Sequence, residues 1–161
     1  MLKKLLPTRW QAYFINSYMP YIGAGIRVTN ANDTLSRFEV KMSLTRWNRN
    51  IMGVHFGGSI YSMCDPFYMW ILMVNLGKEY IVWDKAASVY FLKPGTGTIR
   101  ATFEIAQQRI NDIKAEVDTI GKNDYEFEAF IYNESGEKVA RVVKVVYVRK
   151  RDFFKNNKDK Q

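Results

Sequence analysis

The stretch from Gly57 to Leu76, GGSIYSMCDPFYMWILMVNL, decides the fold of this chain. It contains one charged side chain, Asp65, which is followed by Pro66. A helix that is apolar on all sides is one that the rest of the protein encloses. A stretch of about 20 residues is also long enough to span a bilayer, but an ionisable group near the middle of a span is costly. The stretch therefore predicts a long helix buried inside the protein, and no membrane insertion.

Segments that alternate apolar and polar residues flank this helix, a pattern typical of half-buried strands. Two precede it and four follow it, over residues 26–29, 35–44, 82–92, 98–106, 125–132 and 139–148. Short turns between neighbouring strands favour an antiparallel sheet. Because this sheet has to cover a helix that is apolar all round, the pattern predicts an α+β fold with a curved antiparallel sheet wrapped around one long central helix.

Two shorter helices complete the predicted order. A capping-box pattern and aromatic residues at helical spacing predict an N-terminal helix over about residues 8–22. The apolar spacing of residues 107–120 predicts a short amphipathic helix inserted between two strands. Since no interior linker separates these elements, we expect a single domain over residues 1–150, followed by a basic, flexible tail over residues 151–161.

The composition excludes several classes of protein. Hydrophobic residues make up 47% of the 161 residues and charged residues 25%, which excludes a disordered, collagen-like or coiled-coil chain. The single cysteine, Cys64, excludes an internal disulfide and favours a reducing compartment. One cysteine and one histidine, His55, cannot form a structural zinc site, so we expect no metal and no organic cofactor. The first residues lack the apolar run of a secretion signal, and we expect a cytoplasmic protein.

The net charge of +8, from 24 basic and 16 acidic residues, indicates attraction to polyanions. Part of this excess belongs to the basic tail. Nucleic-acid binding is one hypothesis, but it depends on the charge alone, because the sequence lacks any recognition motif and the alternation of the strands offers no obvious aromatic-plus-basic face. We therefore expect no nucleic-acid partner, and a membrane surface and a phosphorylated small molecule are the other interpretations of the charge.

The segment NIMGVHFGG, residues 50–58, with Asp65 seven residues further on, resembles the hotdog-fold thioesterases of the phenylacetic-acid-degradation type. Those proteins carry Asn-x-x-Gly-x-x-His-Gly-Gly, then six residues, then a catalytic Asp. Five positions of this pattern match: Asn50, Gly53, Gly57, Gly58 and Asp65. Phe56 stands at the usual His position, and His55 lies one residue earlier. The segments VWDKAA (82–87) and FLKPG (91–95) look like a bacterial branch of these proteins, in which Phe-Gly-Gly also occurs.

The resemblance implies a hotdog fold, hydrolysis of an acyl-CoA or acyl-carrier thioester without a cofactor, and dimers with sites at the interface. It implies that Asp65 is catalytic and that Asn50 holds the attacking water or the thioester. A carboxylate taken out of water is a stronger base or nucleophile. The small residues Gly57 and Gly58 at a helix N terminus leave N–H donors open to the substrate carbonyl. The basic surface would attract the phosphates of coenzyme A.

Spacing then decides how such a site is assembled. Gly57 and Asp65 are eight residues apart, which is about 12 Å along a continuous helix. One carbonyl cannot contact both, so we expect two chains to share each site, in a homodimer or a dimer of dimers. Asp84 is expected to tune Asp65, and Lys85 to pair with either acid. Phe56 and His55 are expected beside the substrate.

Structural interpretations of the same residues stay open. Asp65 before Pro66 is a good helix N-cap, and Gly57-Gly58 is also a common turn. Further structural interpretations are a loop cap for Asn50, a satisfied polar contact for His55, an ion pair between Asp84 and Lys85, and a small buried apolar role for Cys64. The alternative function is a non-catalytic acyl- or lipid-binding hotdog protein, which the loss of the usual His suggests.

Overall fold

Six antiparallel strands form one sheet in the computed structural model, which describes residues 12–153. The strands are β1 (Ile26–Ala31), β2 (Arg37–Ser43), β3 (Tyr80–Phe91), β4 (Thr98–Glu104), β5 (Lys122–Tyr132) and β6 (Lys138–Lys150). Their order across the sheet is β1-β2-β4-β5-β6-β3, so β1 and β3 are its edges. All six predicted strands are confirmed, with ends that differ by a few residues.

Four α-helices lie in the described part of the chain: α1 (Met19–Ala24), α2 (Gly57–Cys64), α3 (Phe67–Leu76) and α4 (Gln107–Ile120). The central helix is built from α2 and α3. Asp65 and Pro66, between them, both keep right-handed helical angles, so the helical path continues through them. Pro66 lacks the N–H that a regular helix would bond at this position, which accounts for the break in the hydrogen-bond ladder. In residues 12–153 no helix has the length and apolar character needed to cross a membrane.

The central helix contacts strands from distant parts of the sheet, namely β2, β3, β4 and β6. Phe67, on α3, stacks on Phe103 of β4 with ring centroids 4.7 Å apart and touches Phe38 of β2. The next residue, Tyr68, stacks on Phe127 of β5. Burying a side chain of this size contributes about 1.5–3 kcal/mol. The apolar helix is therefore enclosed by a sheet that wraps around it, as predicted.

The two shorter helices differ in how well the sequence predicts them. The inserted helix, α4, has the predicted bounds. The predicted N-terminal helix over 8–22 is corrected: the described part forms a 3-10 helix over Tyr13–Ser17, an extended residue at Tyr18 and then α1. Pro20 is the physical reason, because its ring would collide with a carbonyl four residues earlier in an uninterrupted helix. Residues 8–11 of the prediction lie outside the described residues.

The start of the predicted tail is held by contacts. The N–H of Arg151 donates to the carbonyl of Glu79 at 2.8 Å, and the ring of Phe153 lies against Gly121. Residues 154–161 of the predicted tail lie outside the described residues. The flexible tail over residues 151–161 stays a prediction, and Arg151 and Phe153 at its start contact the domain.

Candidate functional site

The N terminus of α2 opens onto a mainly apolar pocket of about 580 Å³. The N–H groups of Ser59 and Ile60 donate to the carbonyl of Phe56, at 3.0 and 3.1 Å, and no side chain caps this helix end. A helix provides no carbonyl for the N–H groups of its first residues, so those of Gly57 and Gly58 remain as donors. Together with the helix dipole, they suit an oxygen that carries negative charge.

Neighbouring aromatic rings lie close to both glycines at this helix end. A Cβ atom on Gly57 would lie 2.8 Å from Cζ of Phe91, and a Cβ atom on Gly58 would meet the ring of Phe56. The sequence predicts a close approach to this backbone by a substrate. In the structure the atoms that make the approach belong to Phe91 and Phe56, and Phe91 also lines the pocket.

Asn50 holds the loop that leads into the pocket. Its Oδ1 accepts hydrogen bonds from the N–H of Met52 at 2.9 Å and of Val54 at 3.2 Å. This is the loop-capping role that the sequence left open. Within residues 12–153 its Nδ2 has no hydrogen-bond partner, and the residue lines the pocket. The side chain therefore fixes the loop with its oxygen and keeps its amide nitrogen available as a donor.

His55 is buried and fastens the same loop to the turn before β4. Its Nε2 lies 3.1 Å from the carbonyl of Gly97, to which it donates, and its backbone N–H donates to Gly95. Burial lowers the pKa of His55 and outweighs the opposing effect of the Gly97 carbonyl, so the ring is neutral near pH 7. This arrangement favours the structural interpretation of His55. The neighbouring Phe56 is exposed, at the first turn of α2.

Asp65 lies at the break between α2 and α3, where it faces a second cavity of about 320 Å³. Three tyrosines contribute to the lining of this cavity: Tyr18, Tyr21 and Tyr61. The expectation of a carboxylate removed from water is corrected, since the Asp65 side chain is 50% exposed and paired with a lysine. The capping interpretation is also corrected, because α3 has Pro66 at its N-cap and no side-chain cap bond.

The partner of Asp65 is Lys144 on β6, a residue that the sequence interpretation missed. Its side chain is 1% exposed, and its Nζ lies 3.0 Å from Oδ1 of Asp65 and 3.1 Å from Oδ2 of Asp84. Burial acts to lower the pKa of Lys144, but the hydrogen bonds of the two carboxylates outweigh it and raise that pKa. Lys144 therefore carries a positive charge inside the domain, between two acids.

A signal for Lys144 was present in the alternation of β6. Val142, Val146 and Val148 are fully buried, and Lys144 occupies the same face of the strand. Lysine is almost never fully buried without a charged partner. A lysine at a core position of a valine-rich strand thus indicates that a carboxylate lies opposite it.

Asp84 approaches Asp65 as predicted, through the shared Lys144, whereas both hypotheses for Lys85 are wrong. A β-bulge between Asp84 and Ala86 leaves Lys85 as the extra residue. Lys85 instead pairs with Asp124 on β5, and it makes no ion pair with Asp65 or Asp84. Burial raises the pKa of Asp84, with the opposing effect of Lys144 smaller.

Cys64, next to Asp65, has the inert role that the sequence predicts. The residue is fully buried, and burial raises the pKa of its thiol to about 12. The thiolate is the nucleophilic form of cysteine. A protonated, inaccessible thiol is not placed to act as a nucleophile.

Two ends of one helix thus carry different halves of a possible site. Gly57 lines the first pocket and Asp65 lines the second, and neither residue lines the other's pocket. The separation agrees with the helical distance of about 12 Å. Within one copy of residues 12–153, the N–H donors and the carboxylate face different cavities.

Comparison with protein families gives one match. A family model described as a domain of unknown function, DUF4442, matches residues 8–148. A comparison with curated proteins gives no match.

Comparison with solved structures identifies the fold. PA5026 from Pseudomonas aeruginosa, described as a probable thioesterase, superposes with a TM-score of 0.77 at 21% identity, over 90% of this chain and 97% of its own. The thioesterase HI1161 from Haemophilus influenzae gives 0.66 at 15% identity, over 94% and 96%. The PaaI protein of the E. coli phenylacetic acid degradation operon gives 0.59 at 19% identity, over 88% and 91%. The chain therefore has the hotdog fold.

Proposed function

The chain belongs to the family described as a domain of unknown function, DUF4442, and on that premise we propose that it hydrolyses acyl-CoA or related thioesters at a site shared by two copies. The observation that carries the proposal is the position of Asp65. Asp65 is the one charged side chain of the central helix, and it is half-exposed at the helix break, beside a cavity. The thioesterase descriptions of proteins with the same fold support this choice of reaction.

The proposed chemistry uses the groups at the two ends of α2, Gly57 and Gly58 at its N terminus and Asp65 at its C-cap. Asp65 takes a proton from a water molecule, whose oxygen attacks the thioester carbonyl carbon. The N–H groups of Gly57 and Gly58 hold the oxyanion of the tetrahedral intermediate, and Nδ2 of Asn50 orients the thioester. When the carbon–sulfur bond breaks, the thiolate takes the proton back from Asp65. The products are a carboxylic acid and a free thiol.

The edge strand β3 provides a way to combine the two ends. Its outer edge is unpaired within the described chain, and Ala86, Ala87 and Ser88 near its middle are small and exposed. An open edge of this length is a template for pairing with another strand. Phe91, near one end of β3, touches Gly57, and Asp84, nearer the other, shares Lys144 with Asp65.

Antiparallel pairing of two β3 edges then completes the proposed site. In such a pair, the Phe91 end of one strand lies opposite the Asp84 end of the other. Gly57 of one copy is thereby brought toward Asp65 of the partner subunit. A twofold contact of this kind buries the same surface on both copies and forms two equal sites.

Coenzyme A is the proposed carrier because the charge of +8 suits its phosphates. Lys93 lines the pocket at the N terminus of α2 and is the nearest candidate, although it is paired with Glu137. The proposal needs no metal or organic cofactor, since Asp65 and the helix N terminus supply the base and the oxyanion donors. The single cysteine, Cys64, supports a reducing compartment such as the cytoplasm.

The direct test is turnover of a panel of acyl-CoAs by the full chain and by Asp65→Asn. Asn keeps the shape of Asp but cannot act as a base, so kcat should fall about 100-fold or more. Asp112→Asn is the matched control, because Asp112 is exposed on α4 and bonds Gln108. Wild-type turnover in folded Asp65→Asn would contradict the proposal. Binding of acyl-CoA by the wild type without any turnover would instead favour the non-catalytic acyl-binding function.

A further inference from the structure

Lys144 occupies a place where the fold itself needs no charge. The core-facing neighbours on its strand are valines, and an apolar side chain would fill the same space. Taking the ammonium of Lys144 out of water carries a large desolvation penalty, and a buried ion pair is often no more stable than an apolar replacement. Its presence therefore calls for an explanation other than stability.

The hydrogen bonds of Lys144 indicate what it acts on. Its Nζ has three N–H donors and three oxygen partners: Asp65 at 3.0 Å, Asp84 at 3.1 Å and Tyr61 at 3.4 Å. The donors are all used, and the side chain is buried. Lys144 is therefore not placed to bind a substrate directly, and its effect on a reaction must pass through Asp65.

The three partners come from different elements, which Lys144 ties together. Tyr61 belongs to α2, Asp65 to the helix break and Asp84 to the edge strand β3, while Lys144 itself lies on β6. Asp65 alone would be free to rotate, because it is half-exposed and makes no capping bond to α3. The ammonium fixes Oδ1 and with it the direction in which the carboxylate faces.

We infer that Lys144 is a positioning residue for the proposed hydrolysis: it orients the Asp65 carboxylate, while Asp84 balances the charge that Lys144 brings into the core. This inference rests on the proposed function. Asp84 is a suitable balancing group because it is largely buried, and its Oδ1 has no hydrogen-bond partner among residues 12–153. Tyr21, Tyr61 and Cys64 also face the cluster, and burial raises the pKa of each, so all three stay neutral near pH 7.

The test compares Lys144→Met with Asp84→Asn in the full chain, using a thioester that the wild type hydrolyses. Without the ammonium, the Asp65 and Asp84 carboxylates face each other uncompensated, so the acid limb of the kcat profile should move to higher pH. Without the Asp84 charge, the same limb should move down. In Lys144→Met, kcat at pH 7 should fall about 10-fold or more, with KM within about threefold of the wild type.

Two further variants separate positioning from folding. Lys144→Met/Asp84→Asn removes both buried charges of the pair, so it should fold even where Lys144→Met does not, and its kcat should still be lowered about 10-fold. Lys114→Met is the matched control, since Lys114 is exposed on α4. A merely structural role would change the melting temperature and leave the pH limb in place.

The possible results distinguish this inference from the proposed function. Suppose that Asp65→Asn abolishes turnover, but the folded Lys144 variants keep the wild-type kcat and the wild-type acid limb of the pH profile. This result would overturn the positioning role alone. Opposite shifts of the limb in Lys144→Met and Asp84→Asn would support it. If Lys144→Met does not fold but Lys144→Met/Asp84→Asn does, a wild-type kcat in the double variant would overturn the positioning role. No turnover of any thioester by the wild type would overturn both proposals together.

Discussion

The two ends of α2 present different polar groups: backbone N–H donors at its N terminus and the carboxylate of Asp65 at its C-cap. The N terminus of α2 offers backbone N–H donors in a mainly apolar pocket, and no side chain caps them. The break eight residues later holds Asp65, Lys144 and Asp84 within one ionic cluster. The first end suits a developing oxyanion, and the second suits a base.

Each end of α2 lacks the group that the other end provides. Among residues 12–153, no carboxylate lines the pocket at the N terminus of α2, and neither Gly57 nor Gly58 lines the cavity at the break. Under the proposed function, each chain supplies two half-sites, and they meet only where two chains pair.

Gly57→Pro should have the largest effect of the variants at the N terminus of α2. Proline is favoured at the first residue of a helix, and the extended backbone of Phe56 suits a following proline. The substitution therefore removes one N–H donor while keeping the helix. Loss of one oxyanion donor costs about 100-fold in kcat, and steady-state kinetics with the best acyl-CoA should show it.

Gly57→Ala serves as the control for this substitution. It also adds a Cβ atom, which must displace the flexible ring of Phe91, but it keeps the N–H. The ratio of kcat between the two variants therefore isolates the donor. Equal values for Gly57→Ala and Gly57→Pro would remove the helix N terminus from the mechanism.

His55→Gln should change the pH dependence of stability and affect turnover little. Because burial lowers the pKa of His55, the unfolded chain takes up a proton as the pH falls below about 6.5 and the folded chain does not. The wild type should therefore lose up to about 1 kcal/mol from this group between pH 7.5 and 5.5. Urea unfolding of His55→Gln should lack this component.

Turnover distinguishes the two interpretations of His55. Gln can donate to the Gly97 carbonyl, so kcat at pH 7.5 should stay within about threefold of the wild type if His55 only holds the loop. A loss of 100-fold in the folded variant would show that the histidine takes part in the reaction.

Lys93→Met should have the smallest effect. An exposed ion pair contributes at most about 1 kcal/mol, so the Kd for coenzyme A should rise by no more than about fivefold, and less at high salt. Glu137→Gln should lower the Kd because it releases Lys93 from its partner. Titration calorimetry on the Asp65→Asn background, with Lys114→Met as the control, measures both. Equal Kd values in all variants would place the phosphates elsewhere.

The fold could be predicted from the sequence because its signals are local. The alternation of β2 and β4 and the spacing of α4 each follow from residues within one element. The uninterrupted apolar character of residues 57–76 requires a sheet around it. The N-terminal helix was mispredicted at Tyr18 because aromatic periodicity was given more weight than Pro20.

The candidate site was less predictable because its contacts join distant residues. Asp65 and Gly57 stand out in the sequence, but the lysine that pairs with Asp65 lies 79 residues away. Lys85 is the partner that the sequence predicts, because it adjoins Asp84. The bulge after Asp84 instead places Lys85 beside Asp124. Lys144 was detectable only as a polar residue that breaks the core-facing pattern of β6.

Mixing two inactive variants tests the central claim, that the two half-sites meet between chains. Gly57→Pro and Asp65→Asn are co-expressed with different affinity tags, and the doubly tagged species is compared with each variant alone and with the wild type. Each mixed dimer regains one site with both groups intact, so the isolated mixed dimer should show about half of the wild-type kcat per chain. Turnover no higher than that of the two single variants, in a verified mixed dimer, would contradict a site shared between copies.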